Sequence, residues 1–358
     1  MFLSVIRKQR LDPAKHCGVG MNRVSYTTHK KEKETVHRTG VKILAARIGI
    51  EANSKELLPY FPLMVEVKSL LTDFRTVEQI PFSSGLDGYI SIEESSNTPS
   101  LAFSEDRVRF QGPLARLTKE ASDLRFSLWG NQGLLYRFTL YLLEKKHRIY
   151  NLHACALYHQ DKNHLYVITG GAGSGKTVFL LSGLEKRLKL FSTETVHFRM
   201  DKDSITWFMG SLVDNIRLGT LIHHFPRFLR NIDTQETDDE WQHKIALDFS
   251  SYKTDFEMLK MPSAVTILFP RIEESREGFH LTPMMDKKKA AKAIFDNITQ
   301  KLSETVLLYD KIPVLGFDEK DLAAARHLTA SQIIQHESVI QTASVLSNPY
   351  ECWGELLD

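Results

Sequence analysis

Eight consecutive residues, Gly170-Gly171-Ala172-Gly173-Ser174-Gly175-Lys176-Thr177, fit the pattern G-x-x-x-x-G-K-[ST]. The chemistry suited to that spacing is the holding of a phosphate chain. Gly170, Gly171, Gly173 and Gly175 let the backbone take positive φ and approach an anion with no Cβ in the way. Successive N–H groups make a concave nest for phosphate, and a helix starting near Lys176 adds its positive end. Lys176 is expected to reach the β- and γ-phosphates and the Thr177 hydroxyl to ligate Mg²⁺. Gly170 to Val178 is therefore the expected nucleotide-contacting set.

The flanking residues supply the context the motif needs. Leu165 to Ile168 is a short apolar, partly β-branched run that reads as a buried strand. Val178 to Leu184 opens an apolar pattern at helical spacing. Strand, glycine loop and helix in that order distinguish a phosphate-binding element from a flexible glycine turn.

The chain has 358 residues, a net charge of +2, 42% hydrophobic and 25% charged residues, as in an ordinary globular protein. It contains no apolar run long enough to span a bilayer, and its opening apolar run is too short for a secretory signal. Cys17, Cys155 and Cys352 are scattered and support neither a disulfide framework nor a zinc site. The expected compartment is the cytoplasm.

Four regions are expected. Residues 1–40 are basic and poor in pattern, nine Lys and Arg against three acids, and read as a flexible solvated tail. Residues 41–146 are β-rich, with strand-like runs at Val41–Ile50, Gly88–Ile92 and Arg107–Phe110, a candidate helix over Ser54–Tyr60 and an amphipathic helix over 131–147. Residues 147–330 form the α/β (α+β) nucleotide core. There Leu152–Leu157 is a strand joined to the loop strand by a turn at Asp161–Asn163. Lys189–Phe198 is one strand, Ile205–Met209 another, and Ala264–Phe269 a buried strand closed by Pro270. Asp214 reads as a turn cap, with a second Mg²⁺ ligand as the alternative, residues 286–309 as a long helix, and residues 331–358 as a C-terminal extension. Two antiparallel strands ahead of the loop depart from the usual parallel βαβ opening.

The run Leu152-His153-Ala154-Cys155-Ala156-Leu157, the loop, and Ser192-Thr193-Glu194 together resemble the HPr kinase/phosphorylase-like family, in its HPr-kinase-related branch. The resemblance covers roughly residues 147–272. It implies a P-loop core with extra antiparallel strands, related to the phosphoenolpyruvate carboxykinase fold. It also implies ATP and Mg²⁺ as cofactors and a hydroxyl acceptor. His153 matches the histidine near the phosphates. The family's acidic pair falls at Thr193-Glu194, so the first acid is replaced and Glu194 stands where the catalytic base and a Mg²⁺ contact belong. Arg217, in Gly210-Ser-Leu-Val-Asp-Asn-Ile-Arg217-Leu, matches an arginine that neutralises phosphoryl charge, and Lys244 matches a lysine after an acidic loop.

The expected activity is transfer of the γ-phosphoryl group to a Ser or Thr hydroxyl of a small protein or peptide, as in tailoring kinases for ribosomally made peptides. A small-metabolite acceptor is the alternative, and nucleotide binding without transfer is a third, favoured by the replaced acid. A carboxykinase-like reaction lacks its metal and clamp residues. A nucleic-acid partner lacks any helicase-like signature, no membrane is expected, and relatives of this type often assemble as homo-oligomers.

Overall fold

The computed structural model describes residues 36–58, 71–83, 85–229 and 239–357. Alternating polar and β-branched residues fold first into a six-stranded mixed sheet. Its strands are β1 (His37–Ile43), β2 (Ala46–Ala52), β3 (Val77–Ile80), β4 (Gly88–Glu94), β5 (Ser100–Ser104) and β6 (Arg107–Gly112), in the order β3-β1-β2-β4-β6-β5. The run expected as one strand at 41–50 is a hairpin, turned at Leu44, whose φ is +51°. β2, β4 and β6 run parallel, while β1, β3 and β5 join antiparallel. At 54–60 only a single 3₁₀ turn, Lys55–Leu57, falls within the described residues. The expected tail at 1–40 lies outside the described residues up to position 35, and its last four residues belong to β1.

Helices α1 (Leu114–Glu120) and α2 (Leu134–His147) lead into a second, nine-stranded mixed sheet. Its elements follow in the order β7 (Ile149–His159), β8 (His164–Thr169), α3 (Lys176–Glu185), β9 (Lys189–Ser192), β10 (Thr195–Met200) and β11 (Ile205–Phe208). A separate hairpin, β12 (Val213–Arg217) and β13 (Lys244–Asp248), flanks α4 (Leu218–His224). Then come β14 (Met258–Lys260), β15 (Ala264–Ile272), β16 (His280–Pro283), α5 (Lys287–Ser303), the small hairpin β17 (Val306–Leu308) and β18 (Ile312–Val314), α6 (Lys320–Gln335) and β19 (Val339–Ser347). The strand order is β14-β11-β10-β7-β8-β15-β19-β16, with β9 paired to β7. β7 and β8 are antiparallel, whereas β8, β15 and β19 are parallel. The fold is thus mixed α/β, with six α-helices among the described residues, none long and apolar enough to cross a membrane.

Several expected boundaries move for physical reasons. The run 189–198 is two strands, because Ser192 and Thr193 turn their hydrogen bonds away from the ladder. Thr193 N–H donates to Ser211 O at 2.8 Å, and Ser192 Oγ to Thr195 O at 2.5 Å. β15 runs past Pro270 to Ile272, since pairing with β8 ends at Leu268 and only β19 continues the ladder there. α5 stops at Ser303 rather than 309. Buried Arg137 of α2 takes its terminal carbonyls, donating to Lys301 O at 3.0 Å and Glu304 O at 2.6 Å.

Two apolar cores lie side by side. One gathers the first sheet, α2, and Leu302 to Leu322, and the other lies on both faces of the nine-stranded sheet. Within 331–357, residues of α6, β19 and the segment after it belong to the second core. Among them is Trp353, which is fully buried and donates from Nε1 to Phe179 O at 3.1 Å. Trp353→Ala is expected to cost about 3–5 kcal/mol of unfolding free energy in urea denaturation. A loss under about 1 kcal/mol would show that this segment is an appendage.

Candidate functional site

The site forms where the loop between β8 and α3 meets a gap in the sheet. Gly173 and Gly175 sit at φ of +77° and +102°, which a side chain adopts only under strain. A Cβ on Gly175 would lie 2.2 Å from Ile272 Cγ1, and one on Gly170 would lie 2.7 Å from Ser174 Oγ. Gly171 is not among the positive-φ residues, and open space surrounds it. The Lys176 ammonium folds back on the loop, donating to Gly170 O at 2.7 Å and Gly171 O at 3.1 Å. Burial lowers its pKa. Ser174 Oγ is buried with no hydrogen-bond partner.

Thr177, at the start of α3, donates from Oγ1 to Asp214 Oδ2 at 3.3 Å. Asp214 lies on β12 and not in the expected turn. Burial pushes its carboxyl up to about 6, against the opposing Thr177 hydrogen bond. A hydroxyl and a carboxylate side by side are hard oxygen ligands of the kind magnesium takes. Together with the orphaned Ser174 Oγ and the room at Gly171 and Gly173, they fit a metal-bound phosphate chain.

The gap lies along one edge of β7. β10 pairs with β7 as far as Thr195 opposite His153, and β9 resumes with Ser192 opposite Ala156. Thr193 and Glu194 fall between. Thr193 is buried and its hydroxyl donates to Val213 O at 2.8 Å, so the residue at the first acid position ties the gap to β12. Glu194 is half-buried and hydrogen-bonds to no described residue. Burial, then the nearby Asp73 carboxylate, push its pKa up to about 7, while Lys301 and Lys176 pull it down.

His153 is pinned from α5. Its N–H donates to Asn297 Oδ1 at 2.8 Å, its carbonyl accepts from Asn297 Nδ2 at 3.1 Å, and its Nδ1 lies 3.4 Å from Gln300 Oε1. Burial and the positive charges of Lys176 and Lys301 lower its pKa to about 4. The imidazole is therefore neutral near pH 7, and can offer a hydrogen bond but no charge.

Lys176, Thr177, Glu194 and His153 are thus brought together; Arg217 is not. β12 alternates, with Asp214 and Ile216 buried and Asn215 and Arg217 exposed. Arg217 makes no ion pair with a described residue, and Lys244 lies directly across the ladder from it, also exposed. In the expected acidic loop, residues 233–238 lie outside the described residues.

Two site residues escaped the sequence reading. Asp73 is buried, accepting from Tyr136 OH at 2.8 Å and Thr195 Oγ1 at 2.9 Å. Nothing in Thr72-Asp73-Phe74-Arg75 signals this, because its partners lie 63 and 122 positions away. Lys301 did leave a signal. Ala290, Ile294, Asn297, Ile298, Lys301 and Leu302 form one buried stripe of α5, in which Asn297 and Lys301 are polar residues at core positions.

No family model matches the chain, and no curated protein matches it. Among solved structures it is similar to the Hpr(Ser) kinase/phosphatase from Coxiella burnetii, at 13% identity over 52% of this chain and 95% of that one, with a TM-score of 0.22. At that score the likeness carries no argument about the site, and the reading of the site rests on the residues themselves.

Glu194 and Asp214 both have carboxyls raised in the folded state, so the native protein binds more protons than the unfolded chain between about pH 4.5 and 7. Their contribution to stability is full below the unfolded pKa and is lost as pH rises through the folded one. Glu194→Gln is therefore expected to gain on wild type by on the order of 2–3 kcal/mol between pH 5 and pH 8, in paired urea denaturation curves. Parallel curves for the two proteins would show that Glu194 ionises freely.

Proposed function

We propose that the protein is an ATP- and Mg²⁺-dependent kinase that transfers the γ-phosphoryl group to a hydroxyl, in the manner of the HPr-kinase-like P-loop enzymes that the sequence resembles. The observation carrying this reading is the pairing of Thr177 with Asp214 at 3.3 Å, at the end of a glycine loop that also holds Lys176. A nucleotide's phosphates would replace Gly170 O and Gly171 O as partners of the Lys176 ammonium. Thr177 and Asp214 would hold Mg²⁺, which supplies charge neutralisation across the β- and γ-phosphates. Asp214 thereby takes the metal role first given to Glu194 and leaves Glu194 as base.

Glu194 suits that task. A carboxylate raised to about 7 accepts a proton more readily than an ordinary one, yet is still ionised in large part at neutral pH. The acceptor oxygen forms its bond to the γ-phosphorus as its proton passes to Glu194. The bond to the β–γ bridging oxygen breaks, and its electron pair leaves with the diphosphate. His153, neutral and held by Asn297, orients by hydrogen bonding. A Ser or Thr hydroxyl on a small protein or peptide is the favoured acceptor, with a small metabolite as the alternative.

A second reading, nucleotide binding without transfer, draws on Thr193. Its hydroxyl is committed to Val213 O, so the paired-acid arrangement is absent at that position. Single-turnover transfer from γ-³²P-ATP into peptide and metabolite pools separates the two. Label in an acceptor fraction, reduced at least about 100-fold in Lys176→Ala and Glu194→Gln, is the expected result. Asp214→Asn should raise the Mg²⁺ concentration needed for half-maximal rate. Tight, Lys176-dependent nucleotide binding with no labelled acceptor in either pool would favour the second reading.

A further inference from the structure

A buried cation at this site has no partner. Lys301 is 7% exposed, and among the described residues its ammonium makes no hydrogen bond and no ion pair. Its backbone is held firmly. One turn earlier on the same face, Asn297 grips the main chain of His153, and Arg137 takes the Lys301 carbonyl itself at 3.0 Å. Its charge is felt by His153, Lys176 and Glu194 together, so its head lies within electrostatic reach of all three.

Two ammonium groups close together in a partly buried site repel, and the charge of Lys301 acts to lower the pKa of Lys176. Glu194 is the carboxylate that offsets Lys301 in part, but it lies beyond ion-pair distance. An anion between Lys176 and Lys301 would satisfy both cations at once. Arg217, the cation expected from the sequence, is exposed on the opposite face of β12 from Asp214.

We propose that Lys301 binds the terminal phosphoryl group together with Lys176, and so takes the charge-neutralising role that the sequence assigned to Arg217. This rests on the nucleotide reading above. In the transfer step Lys301 acts as a hydrogen-bond donor. Its N–H groups donate to the non-bridging oxygens of the phosphoryl group as the acceptor's bond to phosphorus forms and the bridging bond breaks.

The test is titration calorimetry of the full chain with Mg²⁺ and inorganic tripolyphosphate, and then with ATP. It is run on wild type, Lys301→Met, Lys301→Gln and Arg217→Met, alongside thermal melts without ligand. Loss of tripolyphosphate affinity by about ten- to a hundredfold in both Lys301 variants is expected, the scale of a lost charge-assisted hydrogen bond. The ligand-free melting temperature of Lys301→Met should equal or exceed that of wild type, because the ammonium holds no hydrogen bond or ion pair among the described residues and methionine keeps the apolar stem. A purely structural lysine would instead lower it. Undiminished binding in Lys301→Met or Lys301→Gln, or a larger loss in Arg217→Met, overturns the assignment and leaves the nucleotide reading standing. Wild type that binds neither tripolyphosphate nor ATP overturns both.

Discussion

The site depends on a two-bond clamp between a side chain and a main chain. Asn297 accepts from the N–H of His153 and donates to its carbonyl, as a neighbouring strand residue would. The clamp stands at the last residue of β7 that β10 pairs with, beside the end of β8, whose Thr169 Oγ1 also reaches the His153 carbonyl at 3.5 Å. Without it, a buried stretch of β7 would carry unpaired backbone groups, which cost more than the net gain of the bonds they make elsewhere. Because Asn297 fixes α5 against β7, it also fixes the next turn, with Gln300 Oε1 3.4 Å from His153 Nδ1 and Lys301 beside it. The gap in the sheet and the helix that covers it therefore form one construction.

The second constraint is the tie between the gap and the β12 hairpin. Ser192 and Thr193 use their hydroxyls and the Thr193 amide on the carbonyls of Thr195, Ser211 and Val213. This brings Asp214 to Thr177 and leaves the Glu194 carboxylate with no hydrogen bond among the described residues. Thr193 is thus a structural link between the gap and β12. Asp73, coming from outside the nine-stranded sheet, supplies a negative charge near Glu194.

The sequence was most legible where a local rule applied. The glycine loop, the strand before it and the helix after it were all readable from motif and periodicity, because each is fixed by residues close in the chain. The antiparallel pair β7 and β8 was readable for the same reason. Legibility failed where side chains chose distant partners. The split at Thr193-Glu194 depends on carbonyls about twenty positions on, and the early stop of α5 depends on Arg137 from another core. The strand assignment of Asp214 depends on pairing with β13. Arg217 was misplaced because a short motif match gives no face, whereas the alternation of β12 does. Lys301 was missed although its helical position was informative, since a lysine in a buried stripe is a conflict of levels that calls for a reason.

The parallel trio β8, β15 and β19 governs how the site comes into being. β8 must wait for a neighbour about a hundred residues later in the chain, and that neighbour for another more than sixty residues further on. Closing such long loops carries its entropic cost before any contact repays it. The glycine loop hangs from the end of β8 and is braced by Ile272 at the end of β15. Its shape is consequently a late product of folding, set by strands made long after the motif itself. A chain interrupted before β15 would carry the whole phosphate motif and yet lack the wall that holds it in form.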